Sequence, residues 1–163
     1  MSKASAKYPF RVGRSRTGLG LFATEPIKKG SRVIEYRGRK ISTKRAEWIE
    51  DNTENRYVFE INDKWSIDGS PRWNLARYVN HSCRPNVEAY QYAEKIFYRA
   101  KWNIQPGAEI TVSYGRDYFT SFIKPIGCKC DTCSARRKRE REEARKKAAR
   151  KRASAAKKKN GAR

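Results

Sequence analysis

The sequence predicts a mostly β fold made of several short antiparallel sheets with few short helices. Short apolar runs alternate with glycine, proline and asparagine turn signals through roughly the first hundred residues, and closely spaced runs of this kind are typical of strands joined by hairpins. A helical pattern is confined to residues 42–52, where Ser42 or Thr43 can cap it, and to residues 73–79. Because strands do not alternate with helices, a doubly wound parallel sheet is excluded.

Seven segments carry the strand pattern, and the clearest of them is 56–63. There Tyr57, Phe59 and Ile61 occupy alternate positions, so one face of the predicted strand is apolar. The turn signals on either side of each segment set its length. In chain order the predicted strands are residues 19–24, 31–38, 56–63, 64–68, 86–92, 95–102 and 108–114.

Charge divides the chain into a folded part and a basic arm. The 163 residues include 39 Lys+Arg and 17 Asp+Glu, a formal net charge of +22, and residues 134–163 alone hold 15 Lys/Arg against 3 Glu. This segment lacks aromatic residues, Leu, Ile, Val and Met, so it cannot bury enough apolar surface to offset its chain entropy. We expect a disordered or transiently helical arm. Its expected partners are polyanions, with nucleic acid first and an anionic membrane surface second. The alternative is a solubilising tail.

The composition also restricts where the chain works. No run of about 20 apolar residues predicts a membrane span, and the first ten residues lack the apolar stretch of a secretory signal. We therefore expect no secretion by a classical signal peptide. The basic arm suits a nucleus and its chromatin, or a bacterial nucleoid and the cytoplasm around it, equally well. The oligomeric state is not predicted.

Three cysteines lie close together near the end of the folded part. Cys128, Cys130 and Cys133 are spaced C-x-C-x₂-C, and cysteines of a chain without a secretory signal indicate metal or thiol chemistry more than disulfides. A structural zinc site has four ligands, so these three thiols leave one ligand to be found. The alternatives are a reactive thiol group and a disulfide pair.

Three further segments carry polar or glycine-rich motifs. The first is "GLG" at 18–20, which lacks the third glycine of a dinucleotide fingerprint and by itself fits a tight turn. The second is "RYVNHSCRPN" at 77–86; its consecutive His, Ser and Cys point in opposite directions along an extended segment, which argues against a nucleophilic triad. The third is "EITVSYGRDYF" at 109–119, where Tyr114 ends a strand before a glycine. If this tyrosine is partly exposed, its hydroxyl is suited to hydrogen bonding or proton transfer. The alternative is an aromatic side chain buried in the core.

In this order, together with "EYRG" at 35–38 and "YVFEI" at 57–61, these segments resemble the SET-domain protein lysine methyltransferases. The resemblance covers about residues 10–133. It implies the SET fold, in which short antiparallel sheets accompany a knot-like C-terminal threading. The expected organisation is a flexible N-terminus at 1–7, a SET domain at 8–122, a post-SET zinc-binding segment at 123–133 and the basic arm at 134–163.

The resemblance implies transfer of a methyl group from S-adenosylmethionine to the amine of a lysine. Independently of the resemblance, we expect the substrate to be a basic, DNA-associated protein such as a histone or a histone-like protein. The resemblance makes Tyr114 the catalytic tyrosine and places Tyr36 and Tyr57 along the lysine channel. An aromatic channel suits the chemistry, because desolvation lowers the pKa of the incoming lysine. The implied cofactor contacts are Gly18, Leu19, Gly20, Arg77, Asn80 and His81.

The resemblance also completes the cysteine set, since Cys83 of the NHSC segment becomes the fourth zinc ligand beside Cys128, Cys130 and Cys133. Two positions depart from the family pattern. Trp73 stands where a glycine is usual, and Val112 stands two residues before Tyr114, where an aromatic residue is common. The competing hypotheses are a catalytically silent, zinc-stabilised module that binds a peptide or DNA, and a purely nucleic-acid-binding zinc protein.

Overall fold

A computed structural model describes residues 8–160, with side chains as far as residue 155. The flexible N-terminus expected at 1–7 lies outside the described residues. The chain divides into two compact units, the first ending at Arg116 and the second beginning at Asp117. The expected SET-domain boundary after residue 122 falls later in the chain than this division.

The first unit is built from three small sheets, and the prediction of a mostly β fold is confirmed. One sheet has four strands in the order β1-β2-β10-β7, and the other two have the orders β3-β9-β8 and β4-β6-β5. The strands are β1 (Phe10–Ser15), β2 (Gly18–Ala23), β3 (Arg32–Tyr36), β4 (Arg39–Ser42), β5 (Val58–Asn62), β6 (Trp65–Asp68), β7 (Asn80–His81), β8 (Val87–Tyr92), β9 (Lys95–Ala100) and β10 (Glu109–Val112).

The helices of the first unit are short. Helix α1 (Thr43–Asn52) begins after Ser42, whose side chain accepts a hydrogen bond from the backbone N–H of Arg45 and so caps the helix. Its buried residues are Ala46 and Ile49. A 3₁₀ turn, Leu75–Tyr78, leads into the NHSC segment.

The core of the first unit lies directly beneath the motif segments. Leu21 and Ile110 are opposite each other on β2 and β10, and both are fully buried together with Val79 and Val87. Burying an aliphatic side chain contributes about 1.5–3 kcal/mol, so residues on either side of the NHSC segment are firmly anchored.

The second unit contains a long helix where a disordered or transiently helical arm was expected. After helix α2 (Arg116–Tyr118) and a π-helical turn (Phe119–Ile123), helix α3 runs over Asp131–Asn160. Ala, Lys, Arg and Glu, which dominate its sequence, are strong helix formers, and backbone hydrogen bonds within the helix need no apolar core. Within residues 8–160, every helix is too short or too polar to span a lipid bilayer.

Candidate functional site

Two of the predicted motif segments are paired with each other. Strand β7 runs parallel to β10, with Asn80 opposite Thr111 and His81 opposite Val112. The side chain of Asn86 reinforces this pairing, because it accepts a hydrogen bond from the N–H of Thr111 at 2.8 Å and donates one to the carbonyl of Glu109 at 2.8 Å. The NHSC segment and the strand that ends at Tyr114 therefore form one structural element.

The glycine segment is tied to the same element through Asn80. The Asn80 amide donates to the carbonyl of Leu19 at 3.0 Å and to the carboxylate of Glu109 at 2.7 Å. A Cβ on Gly20 would lie 2.5 Å from that carboxylate, so glycine makes room for this contact. Gly18 has a φ of +116° and open space where its side chain would be, and Leu19 is half exposed. Glu109 begins the third motif but was not among the predicted site residues.

Tyr36, Tyr57, Tyr98 and Tyr114 form what we call the tyrosine cluster. Tyr36 is buried, and its hydroxyl donates to the carbonyl of Tyr57 at 2.9 Å. The ring of Tyr98 meets the ring of Tyr36 edge to face, with centroids 6.2 Å apart. Gly69 packs against the Tyr36 ring so closely that any side chain there would clash with it.

Electrostatic coupling supports the grouping. Burial raises the pKa of Tyr36, and the phenols of Tyr114 and Tyr57 add to this rise while the charge of Arg77 opposes it. Burial also raises the pKa of Tyr98 well above its usual value, with further contributions from Tyr36 and Tyr114. Tyr36 and Tyr98 are therefore neutral hydrogen-bonding groups at physiological pH.

These two raised pKa values predict a loss of stability in alkali. Below about pH 10, the usual pKa of tyrosine, both phenols are neutral in the folded and the unfolded chain. Above it the unfolded chain releases protons that the folded chain retains, so the free energy of unfolding falls by up to about 1.4 kcal/mol per pH unit for each of Tyr36 and Tyr98. Urea unfolding at increasing pH measures this slope. Tyr98→Phe should make it shallower, whereas Tyr92→Phe, at an exposed position, should leave it unchanged; equal slopes in all three proteins would contradict the prediction.

Arg77 lies against the tyrosine cluster. Its guanidinium carbon is 4.0 Å from the centroid of the Tyr57 ring and 5.5 Å from that of Tyr78. Its Nε is buried and has no hydrogen-bond partner within the described part of the chain. Arg77 thus places a positive charge beside the phenols, and its predicted contact with a cofactor stays a prediction.

Tyr114 and His81 contact each other at the end of the paired strands. The Tyr114 hydroxyl donates to the carbonyl of Val79 at 2.9 Å, and its backbone N–H donates to Nδ1 of His81 at 3.3 Å. Burial lowers the pKa of His81, so the imidazole is neutral at pH 7 and Nδ1 accepts. The residue Tyr114 as a whole remains 36% exposed, so it is not a core aromatic.

The two positions that depart from the family pattern have different surroundings. Trp73 is 62% exposed and so does not cap the core. The neighbouring Asn74 is buried, where it accepts from the backbone N–H of Arg37 and donates to the carbonyl of Gly69. Val112 is buried and supplies no hydroxyl beside the paired strands.

The four cysteines form a group that could hold a metal ion. The sulfur atoms of Cys83, Cys128, Cys130 and Cys133 lie within 4.8 Å of one another. Four thiolates at such separations suit the tetrahedral Cys₄ coordination of structural zinc, with Zn–S bonds of about 2.3 Å. No disulfide joins these four cysteines in the described part of the chain.

Comparisons with known proteins find the family that the motifs resemble. The SET domain family model matches residues 18–115. Among curated proteins, the chain is 33% identical over 135 residues to human Histone-lysine N-methyltransferase 2D. This alignment covers 77% of the chain and 2% of that protein. The chain is 35% identical over 140 residues to human Histone-lysine N-methyltransferase SETD1A, covering 80% of this chain and 8% of that protein. The chain therefore spans a small fraction of the length of these relatives.

A solved structure shares the fold. The structure of ctPRC2 in an autoinhibited conformation bound to S-adenosylmethionine is similar with a TM-score of 0.59 and 28% identity, over 68% of this chain and 15% of that chain. The SET fold inferred from the motifs is thus confirmed. Because the family model also spans more than half of the sequence, the chain belongs to the SET domain family.

Proposed function

We propose that the chain is a protein-lysine N-methyltransferase that uses S-adenosylmethionine. The observation that carries this proposal is the pairing of the NHSC segment with the strand that ends at Tyr114, beside a cluster of neutral tyrosines. The relatives named as histone-lysine N-methyltransferases, and the solved structure bound to S-adenosylmethionine, support it.

The cofactor would be held by the glycine segment and the residues next to it. S-adenosylmethionine supplies a methyl group on a sulfonium when bound. The space beside Gly18 is open, and the amide of Asn80 holds the carbonyl of Leu19 against β7. Open space beside an amide and the neutral imidazole of His81 fits a polar ligand of this class, and Gly20 acts by admitting the Asn80–Glu109 contact.

The acceptor lysine would enter the tyrosine cluster. Phenols that stay neutral offer hydrogen bonds without a charge, and burial among rings disfavours the ammonium form, so the lysine reaches the site with a lowered pKa. The hydroxyl of Tyr114 orients the amine, while Tyr36 and Tyr57 line its path. Zinc in the four-cysteine group would act structurally, since four thiolates leave no open position for water.

Labelled methyl transfer tests the proposal. The full chain is incubated with radiolabelled S-adenosylmethionine and purified core histones or bacterial histone-like proteins, and incorporation is measured. We expect label on lysine. If the chain bound the cofactor and transferred nothing to any of these basic proteins, the silent binding module would replace the enzyme.

A basic, DNA-associated substrate agrees with the names of the relatives, one of which is described as H3 lysine-4 specific. A substrate of this kind would bring the protein to chromatin or to a nucleoid. The candidate substrates also include the chain's own lysines in the sequence "ARKKAARKRASAAKKK" at 144–159. Intact-mass measurement after incubation with the cofactor detects automethylation as added methyl masses.

Helix α3 would hold nucleic acid. Residues 138–155 are exposed throughout. Arg136 pairs with Glu140 at 3.7 Å, but Lys/Arg outnumber Glu by 15 to 3 over residues 134–163. Four basic residues, Arg137, Lys138, Arg141 and Arg145, line one groove together with Ser134 and Glu142. Of these, Lys138, Arg141 and Arg145 recur at helical spacing. A strip of cations along one face suits the phosphate backbone of a duplex.

Charge removal on this strip predicts weaker binding to duplex DNA. Replacing Lys138, Arg141 and Arg145 with Gln should reduce the slope of log affinity against log salt by about 2–3. The matched control replaces Arg139, Lys146 and Arg150, which lie on another side of the helix. If both triple variants weakened DNA binding equally, the assignment of DNA binding to this face of α3 would be contradicted. If the wild-type chain showed no salt-dependent binding to DNA, the segment would be a solubilising tail instead.

A further inference from the structure

A groove beside strand β3 is lined by both aromatic side chains and arginines, and the sequence did not predict it. Its volume is about 380 Å³. We infer that this groove docks an acidic peptide segment of a protein partner, with a carboxylate on Arg32 and an apolar side chain against Trp73. The inference does not depend on methyl transfer, because the groove shares no lining residue with the tyrosine cluster or with the four cysteines.

Aromatic side chains give the groove an apolar surface that is open to a partner. Trp73 is 62% exposed and Tyr8 is 41% exposed, although tryptophan is highly buried on average in folded proteins. The ring of Tyr8 stacks on that of the buried Phe10 with a centroid distance of 5.3 Å, so it is held in place. Aromatic residues of this kind are enriched at protein interfaces and lose little side-chain freedom on binding.

Arg32 lines the same groove and carries a positive charge that the fold holds in position. Its guanidinium carbon lies 4.1 Å from the centroid of the Phe97 ring, and its Nε donates to the hydroxyl of Tyr90 at 2.9 Å. Among the described residues no carboxylate pairs with Arg32. A guanidinium oriented in this way can bind a carboxylate through two parallel hydrogen bonds with little further ordering.

The other charged groups at the groove favour an acidic ligand over a basic one. Glu35 accepts a hydrogen bond from Nε of Arg37 at 3.1 Å and pairs with Nζ of Lys95 at 3.6 Å. Its side chain is only 20% exposed, against 61% for Arg37 and 59% for Lys95. One recessed carboxylate therefore serves two exposed cations, and the charge of Arg32 adds to theirs. The surface that a ligand meets is positive.

Glu35 also favours a peptide over a strand of nucleic acid. A phosphate backbone would bring negative oxygens close to this carboxylate, which is electrostatically unfavourable. A peptide backbone carries N–H groups that a carboxylate can accept. The volume of about 380 Å³ lies at the lower end of the range of roughly 300–1,000 Å³ for ligand pockets, so the groove suits one or two side chains of an extended segment.

Fluorescence anisotropy with the full chain tests the inference. The ligand is a short labelled peptide of Glu residues around one central Phe, in about 0.15 M salt, where weaker attraction between distant charges is screened. We expect Arg32→Gln and Trp73→Ala each to weaken binding about tenfold or more, as loss of an anchoring side chain does at protein interfaces. A peptide with Gln in place of Glu, or with Ser in place of Phe, should also bind more weakly.

The chain offers a matched control for each variant. Arg99→Gln removes an arginine that also lies over the Tyr90 ring, at 5.1 Å, but is already paired with Glu88 at 2.7 Å. Trp102→Ala removes a tryptophan that is 43% exposed and has Lys101 beside its ring, but does not line the groove. Both control variants should bind the peptide as the wild type does, and thermal unfolding of all four shows whether each is folded.

Three results would overturn the inference. If all four folded variants bound the peptide with equal affinity, the attraction would be a general effect of the net charge of +22. If the wild-type chain did not bind the peptide, the groove would not be a docking site for acidic segments. If a short oligothymidylate displaced the peptide and lost affinity with the same two variants, the groove would be a nucleic-acid site. The methyl-transfer assay is independent of all three results, so failure of the proposed function would be seen separately.

Discussion

Replacing Tyr114 with Phe is expected to lower methyl transfer about 100- to 1,000-fold, the usual effect of removing one oriented hydrogen-bond donor from a catalytic site. The substitution removes only the hydroxyl, which donates to the carbonyl of Val79 at 2.9 Å. The ring and its contact with His81, at a centroid distance of 5.6 Å, are retained. The reaction should therefore suffer far more than the fold, for which the loss of one hydrogen bond costs about 1 kcal/mol.

The rate of labelled transfer under single-turnover conditions measures this effect, and urea unfolding measures stability in parallel. Tyr92→Phe is the matched control, because Tyr92 is 66% exposed at the hairpin between β8 and β9. It should transfer methyl groups at the wild-type rate. A folded Tyr114→Phe protein with a rate close to that of the wild type would remove Tyr114 from the catalytic role.

The sequence predicted the strands that carry their own periodic signal. The alternation of Tyr57, Phe59 and Ile61 predicted a strand where β5 (Val58–Asn62) is found. Ser42, one of the two residues predicted to cap the helix, is the cap of α1. Three strands, β1, β4 and β7, were not predicted. Strand β1 is interrupted by arginine, glycine and serine, and it exists because it pairs with β2 along its whole length. Strands of this kind depend on partners elsewhere in the chain rather than on their own composition.

Strand β7 shows the same limit at the site itself. It consists of Asn80 and His81 alone, and pairs in parallel with a segment about thirty residues later. The motif resemblance brought these residues together, but periodicity could not have done so. The place of Tyr98 in the tyrosine cluster was not predicted for a different reason. Its segment has the pattern of an ordinary buried strand, and its contact with Tyr36 follows only from the register of β9 with β3.

The basic arm illustrates how composition and local propensity can point in different directions. A lack of apolar residues argued against a packed segment, and residues 138–155 are indeed exposed. The same residues are Ala, Lys, Arg and Glu, which lose little side-chain freedom in a helix. Helix α3 follows from that propensity, and it orders the charges of Lys138, Arg141 and Arg145 on one face.

Replacing Cys83 with Ser is expected to remove bound zinc and methyl transfer together. We expect the full chain to carry about one zinc ion, as in other Cys₄ sites. Serine is a poor zinc ligand, so Cys128, Cys130 and Cys133 would be left with an incomplete shell. Even changes outside a metal's ligand shell cost roughly 10- to 100-fold in metal affinity or activity, and loss of a ligand should cost at least that much. Elemental analysis of the purified variant and labelled methyl transfer measure the two effects.

The zinc prediction is separable from the chemistry of Tyr114. Tyr114→Phe should keep the full zinc content while it loses transfer, whereas Cys83→Ser should lose both, and Cys83→His should recover part of both because imidazole can replace a thiolate. Chelation of the wild-type chain should lower its melting temperature, since metal binding contributes to folding. If Cys83→Ser kept its zinc, the fourth ligand would lie elsewhere. If chelation changed neither stability nor transfer, the four cysteines would be a thiol group rather than a structural metal centre.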